Sequence, residues 1–325
     1  MNYRKRVRSL QKLASHPILV SDSSDILYYS GYHTPTGERP LMIIPKTGKP
    51  RLHISPLEGR VKAFAELRFS EIKPPKTLGF DENSLSVSLY KKFKKKSKLF
   101  PAAATIKKPR EIKDAQEIML MEKAANIVKK TLKSVNVFGK QESKVARDIE
   151  HSIREQGAEP AFETIVASGR NAGNRIHHAP IASVVRKQDL TIIDLGARFQ
   201  GYCSDITRTH FLKRDKKQRQ LWETVLAIQQ ECIDLAQPGT ELKEINNHYK
   251  KTLQKKGSRP RHWIGHGIGL DVHEPVSTLK KGMIITIEPG IYLKNYGGCR
   301  IEDMIIIQKN KAKVLSHSIP LLVVL

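Results

Sequence analysis

The sequence predicts an α/β (α+β) protein of two unequal domains, on three observations. The chain has 325 residues, 39% of them hydrophobic and 27% charged, which is long enough for two cores and too apolar for whole-chain disorder. Short β-branched runs broken by Gly, Pro and Asp alternate with longer stretches of helical period. A basic link containing proline, "TIKKPREIK", separates a strand-rich beginning from a segment that opens with helices. The boundary is therefore placed to give domains 1–107 and 108–325.

In the first domain, "PILVSDSSDILYYSGY" and "RPLMIIPKTGKPRLHI" read as strand-like runs punctuated by turn residues. In the second, Ile118, Met121 and Ala125 share one face of a helix expected over 114–134, and further helices are expected at about 140–156, 216–237 and 241–256. Strands fill the intervals. No short repeat or low-complexity tract is evident beyond a lysine cluster.

Composition narrows the class. No apolar run makes a secretory core or approaches a membrane span, so a cytoplasmic protein is expected. Cys203, Cys232 and Cys299 are odd in number and lack Cys-x-x-Cys spacing, which argues for reduced thiols and against a thiolate metal site. The net charge is +25, of which +13 lies in residues 1–107, densest in "KKFKKKSK" at 91–98. Without a stacking motif or recognition helix, this excess is read as a solvated face; contact with nucleic acid or another polyanion is the less favoured reading.

The chemistry starts with four carboxylates in apolar strands. "TIIDLGARFQGYCSDITRTHF" (191–211) reads as a hairpin whose turn, centred between Phe199 and Gln200, sets Asp194 opposite Asp205. "MIITIEPGIYLKNYGGCRIEDMIII" (283–307), centred near Asn295, sets Glu288 opposite Glu302. Pro289 cannot donate to a ladder, so the strand is expected to be at an edge or bulged just after Glu288. Arg300 falls on the face of Glu302. One such pair is compatible with a surface hairpin, but like charges this close in apolar strands require protons or a cation. Two pairs, with the glycine-flanked His266 of "GHGIGLDVHEP" (265–275), supply the oxygen ligands and single nitrogen of a dinuclear site for hard divalent metals.

The ordered set Asp194, Asp205, His266, Glu288 and Glu302, within "DLGARFQGYCSDITRT", "GHGIGLDVHEP", "IEPGIY" and "RIED", resembles the pita-bread metallopeptidases over about residues 110–325. "EPGIY" and "RIED" look like the Xaa-Pro branch, prolidase and aminopeptidase P. "ILVSDSSDILYYSGY" is similar to the start of the creatinase-like amino-terminal domain of that branch. The resemblance implies a pseudo-symmetric pita-bread catalytic domain binding two metal ions, with Asp205 and Glu302 bridging, Asp194 on one ion, and His266 and Glu288 on the other. Manganese is the expected metal, with cobalt, iron and zinc as alternatives. A hydroxide shared by the ions would attack the carbonyl before proline, Glu288 handling the proton. His273 and His177 would contact the substrate or the developing oxyanion. His178 adjoins His177, and spacing leaves the choice between them open. Arg300 would buttress the bridging carboxylates; Tyr202 and Thr207 would add contacts behind the ligands. The substrate would be an Xaa-Pro dipeptide or a peptide beginning Xaa-Pro, and the enzyme a homodimer. The alternative is a non-peptidase, or a non-catalytic pita-bread protein that binds polyanions through its basic surface.

Overall fold

The computed structural model describes residues 1–33, 40–55, 63–68, 72–212 and 215–316. The chain divides into two compact units, Met1–Glu111 and Ile112–Leu325. The division lies four residues past the boundary placed at 107 because the 3₁₀ turn Lys108–Arg110 belongs to the first unit. There the guanidinium of Arg110 donates to Asp25 at 2.7 Å with both side chains buried.

The first unit comprises α1 (Tyr3–Leu13), β1 (Ile18–Val20), α2 (Ser23–Ser30), β2 (Leu41–Ile44), β3 (Arg51–His53), β4 (Glu66–Arg68), β5 (Thr77–Phe80), α3 (Val87–Lys94), β6 (Lys98–Pro101) and α4 (Ala103–Lys107). Its strands form one mixed sheet in the order β4-β3-β2-β1-β5-β6. The run "SSDILYYS", read as strand-like, is the helix α2. Its aromatic and β-branched residues favour a strand locally, but Asp22 caps the helix by accepting from Asp25 N–H, and Gly31 ends it at φ 75°. Burial of Ile26, Tyr28 and Tyr29 then offsets the weak helix propensity. The lysine cluster lies on α3 and the residues after it. Phe93 is buried beneath exposed Lys91, Lys92, Lys94, Lys95 and Lys96, the amphipathic arrangement of a solvated helix.

The second unit contains two successive halves of matching plan. The first opens with α5 (Ala115–Ser134) and α6 (Glu142–Glu155), of 20 and 14 residues. It continues through β7 (Glu159–Pro160), β8 (Ile165–Ser168), α7 (Arg170–Asn174), β9 (Thr191–Leu195), β10 (Ala197–Phe199), β11 (Tyr202–Cys203) and β12 (Ile206–His210). The second half opens with α8 (Lys216–Leu235) and α9 (Leu242–Lys255), again of 20 and 14 residues. It continues through β13 (Ile284–Ile287), β14 (Gly290–Leu293), β15 (Gly297–Arg300), β16 (Asp303–Ile307) and β17 (Ala312–Val314). Asp114 and Asp215 cap the two long helices from their side chains, and an isolated bridge precedes each short one, Gln141 to Val184 and Glu241 to Thr278. This correspondence spans about a hundred residues, too long and too diverged in sequence to read as a short repeat.

Each half packs helices on curved strands around its own core. Met121, Ala125, Val128, Ile149 and Ile193 are fully or nearly buried in the first, and Val225, Ile228, Tyr249, Ile285 and Ile305 in the second. Ile118, placed on the buried face of α5, is only half-buried. Cys203, Cys232 and Cys299 are buried and unpaired, and burial pushes each thiol up to about 12.

Candidate metal centre

The first half supplies two acids through a kinked hairpin. Gln200 (φ 48°) and Gly201 (φ 88°) form its two-residue turn, with Phe199 opposite Tyr202, as strand twist favours for two left-handed residues. The turn is centred between Gln200 and Gly201, one residue later than expected, so Asp194 faces Thr207 and not Asp205. Asp205 occupies the gap between β11 and β12. There Ser204 N–H donates to Ala197 O, and Gly196 passes so close to Ser204 O that a Cβ would lie at 2.2 Å. The glycine permits the kink that separates Asp205 from the regular ladder.

The second half supplies the other three groups. Ile287 pairs with Asp303, and Gly290 with Arg300, so the register across the intervening break sets Glu288 against Glu302 about Asn295 (φ 60°). The break falls at Glu288 and Pro289, and Pro289 has no N–H to give the ladder. Residues 264–268 run beside β13: Glu288 N–H donates to Ile264 O, and Thr286 N–H to His266 O, each at 2.8 Å. Gly265 allows this approach, since a Cβ there would lie 2.0 Å from Thr286 O. The halves meet where Glu302 N–H donates to Thr207 O at 3.1 Å.

These elements bring Asp205, His266 and Glu302 together, with one candidate ligand atom of each within 4.8 Å of the others. His266 Nε2 is 3.5 Å from Asp205 and 3.7 Å from Glu288. Its Nδ1 lies 3.0 Å from Gly267 O; because a carbonyl only accepts, the proton is on Nδ1 and the Nε2 lone pair faces the acids. Asp194 Oδ2 accepts from Arg300 Nη2 at 2.7 Å, and Glu302 Oε2 from Thr207 Oγ at 2.8 Å. Among the described residues, nothing hydrogen-bonds to the buried Asp194 Oδ1 or Glu302 Oε1.

Burial and mutual repulsion govern the protons. Desolvation, with the neighbouring acids, holds Asp205 and Glu302 well above the usual carboxylate range. Burial raises Glu288 to about 8, the nearby Arg300 opposing. His266 is lowered by burial to about 4 and is neutral near pH 7. A neutral imidazole and four acids, two with an orphaned oxygen, fit hard divalent cations, whose charge would relieve the repulsion. Between pH 4.5 and about 8 the folded metal-free protein holds more protons at Glu288 than the unfolded chain does. Its contribution to stability is thus complete below 4.5 and lost as pH rises through 8. Ligand deprotonation gives metal affinity the opposite slope. Melting of the chelated protein and metal titration, each from pH 7 to 8.5, above the range in which the buried His210, His262 and His266 lose protons in the unfolded chain, are expected to show these opposed trends; a stability of the chelated protein that rises across the window would contradict them.

Several expected contacts differ in the structure. Arg300 was expected to support the bridging carboxylates, but its guanidinium binds Asp194, Thr207 and Tyr292 instead, and it reaches Glu302 only through Thr207. The one-residue shift of the turn is the cause, because it brings Thr207 beside Asp194. Tyr202 donates to Glu117 on α5, away from the carboxylates. His273 is exposed, with its ring centroid 4.2 Å from that of His266. His177 is exposed and His178 buried, and both line the same cavity as the five grouped residues.

The sequence reading overlooked Glu142, His262 and Tyr292. Glu142, on α6, is fully buried and accepts from His178 Nε2, Ser168 N–H, Asn171 Nδ2 and Ile181 N–H. It fixes the loop that carries both histidines. His262 donates from Nδ1 to Trp263 O and accepts at Nε2 from Tyr292, which in turn accepts from Arg300. Only the adjacency of His262 and Trp263 to the "GHG" segment offered a sequence signal. The cavity has a volume of about 600 Å³, and its apolar lining includes Phe162, Ile165, Ile176, Trp263 and Val272.

A buried group of acids and a neutral imidazole, set at the seam of two matching α/β halves and open to a cavity of peptide size, defines a metal-dependent hydrolase. Residues 119–309 match the model of metallopeptidase family M24. The chain is 33% identical to the Xaa-Pro dipeptidase of Pyrococcus furiosus, over 97% of each protein. Among solved structures, the prolidase from Pyrococcus horikoshii OT3 superposes with a TM-score of 0.87 at 30% identity, over 97% of this chain and 98% of that one. The X-Pro aminopeptidase from Thermotoga maritima MSB8 gives a TM-score of 0.87 at 25% identity, over 99% of each. The chain belongs to metallopeptidase family M24 and is a metallopeptidase with the pita-bread fold.

Proposed function

We infer that the protein hydrolyses the bond before proline in Xaa-Pro peptides, using two divalent ions. The observation that carries this reading is the convergence of Asp205, His266 and Glu302, with Asp194 and Glu288, in a cavity that also exposes His177 and His273. Asp194, Asp205, His266, Glu288 and Glu302 would hold the ions. The first unit would be the creatinase-like domain, residues 1–107 in the sequence reading, and the enzyme would act as a cytoplasmic homodimer. No described helix is long and apolar enough to cross a membrane.

Bound ions would supply a Lewis acid for the scissile carbonyl and lower the pKa of water in the cavity. Manganese suits the oxygen-rich donor set; cobalt, iron and zinc are the alternatives. Glu288 has a carboxylate environment suited to taking a proton and returning it to the prolyl nitrogen, which must be protonated as it leaves. His177 lines the cavity and has no hydrogen-bond partner among the described residues, whereas His178 Nε2 is engaged by Glu142, so His177 is assigned to the developing oxyanion and His178 to holding the loop. His273 would orient the substrate amide. Arg300 holds Asp194 Oδ2 in position by its hydrogen bond, and the apolar lining offers a surface for the pyrrolidine ring.

The test is hydrolysis of an Xaa-Pro dipeptide, an Xaa-Pro-Xaa tripeptide and a Met-Ala peptide by chelator-stripped protein, with each metal restored separately. Cleavage before proline that returns with metal is the expected result. Stoichiometric metal binding without cleavage of either proline substrate would sink the assignment.

A further inference from the structure

The cavity lining bears on how long a peptide is accepted, given the Xaa-Pro reading, on which this inference rests. An Xaa-Pro dipeptide ends in a carboxylate on the proline Cα, which lies about 3.8 Å from the preceding Cα, so that charge enters the same cavity as the scissile carbonyl. A longer peptide places a neutral amide there. A carboxylate withdrawn from water needs an Arg or Lys within hydrogen-bonding reach, and is costly without one.

Among the described residues that line the cavity, Arg300 is the only permanent cation. It is 2% exposed and already donates to Asp194, Thr207 and Tyr292. Arg261, next to His262, is spent on the carbonyls of Gly173 and Asn174. An imidazole, unlike a guanidinium, is not a permanent cation. Glu163, by contrast, is exposed in the lining, and forms no hydrogen bond or ion pair with another described residue. It adds a negative charge beyond the four carboxylates of the metal centre. Trp263, 57% exposed, and Ile176 extend the apolar lining for an uncharged chain to follow.

We propose that the cavity selects peptides that continue past proline, and that Glu163 discriminates against a free carboxylate at that position. The enzyme is thus an Xaa-Pro aminopeptidase in preference, with the dipeptide as a poor substrate.

The experiment compares Ala-Pro, Ala-Pro amide and Ala-Pro-Ala with the metal-restored enzyme. Ala-Pro and its amide differ at the carboxyl end alone. The expected result is a kcat/KM for the amide and the tripeptide at least about tenfold above that of the dipeptide, carried mainly by KM. The gap should narrow as salt screens the repulsion. Glu163→Gln is expected to reduce the amide-to-dipeptide ratio by about threefold or more, and a ratio unmoved by that change would overturn the role of Glu163. A dipeptide cleaved as well as the amide would overturn the selection itself. Cleavage of none of the three, with metal bound, would overturn the Xaa-Pro reading and this inference with it, a result distinct from a reversed ratio.

Discussion

Asp205→Asn is expected to lower kcat/KM by about 10³-fold or more while leaving the metal-free protein more stable. The two effects have one origin. Asp205 is buried among Asp194, Glu288 and Glu302, and desolvation and these neighbours hold its proton in place without metal. An amide of the same shape is neutral without a proton, so the variant escapes the cost of protonating on folding a carboxylate that is ionised in the unfolded chain. With metal, the same change would remove a proposed ligand, and a bound ion stabilises the transition state by several kcal/mol, each 1.36 kcal/mol amounting to about tenfold in rate. Calorimetry with and without metal separates the two states. The wild-type protein should gain melting temperature when metal is added, because metal binds the folded state, and the variant should lose most of that gain. A variant that keeps wild-type metal stoichiometry and activity would remove Asp205 from the centre.

Arg300→Met is expected to cost about 3–5 kcal/mol of folding stability in urea, measured on metal-free protein. Its guanidinium is buried against Asp194, whose side chain is only 13% exposed, and methionine would leave that carboxylate without a countercharge. Thr207 and Tyr292 would lose donors as well. A double variant, Arg300→Met with Asp194→Leu, removes both charges and should recover at least half of the loss, because an apolar pair can replace an ion pair where a stranded charge cannot. A single-variant cost below about 1 kcal/mol, the range of an exposed pair, would show that Arg300 does not hold Asp194.

The contrast between the two hairpins shows what the sequence could disclose. In the second, Asn295 marks the left-handed turn position and Pro289 marks the break, so the register of Glu288 and Glu302 was legible. In the first, Gln200 takes φ 48° with no residue-type preference to announce it, and the register was misplaced by one. The helix α2 was misread because Tyr28, Tyr29 and Ile26 favour strands locally, and tertiary burial outweighed that preference. Glu142 is 36 residues from His178, and His262 is 30 from Tyr292. Neither coupling leaves a periodic trace, so both became visible only in three dimensions. The helix lengths of the two halves match while their sequences have diverged, which kept the internal repeat hidden.

Because the five acidic and imidazole groups are divided between the halves, they do not leave the ribosome together. Asp194 and Asp205 emerge as a pair of acids with no imidazole, and Glu302 follows roughly a hundred residues later, about 5–20 s at ordinary elongation rates. Through that interval the nascent chain would hold only part of the proposed centre, and full metal capture would wait for the last strands to be made.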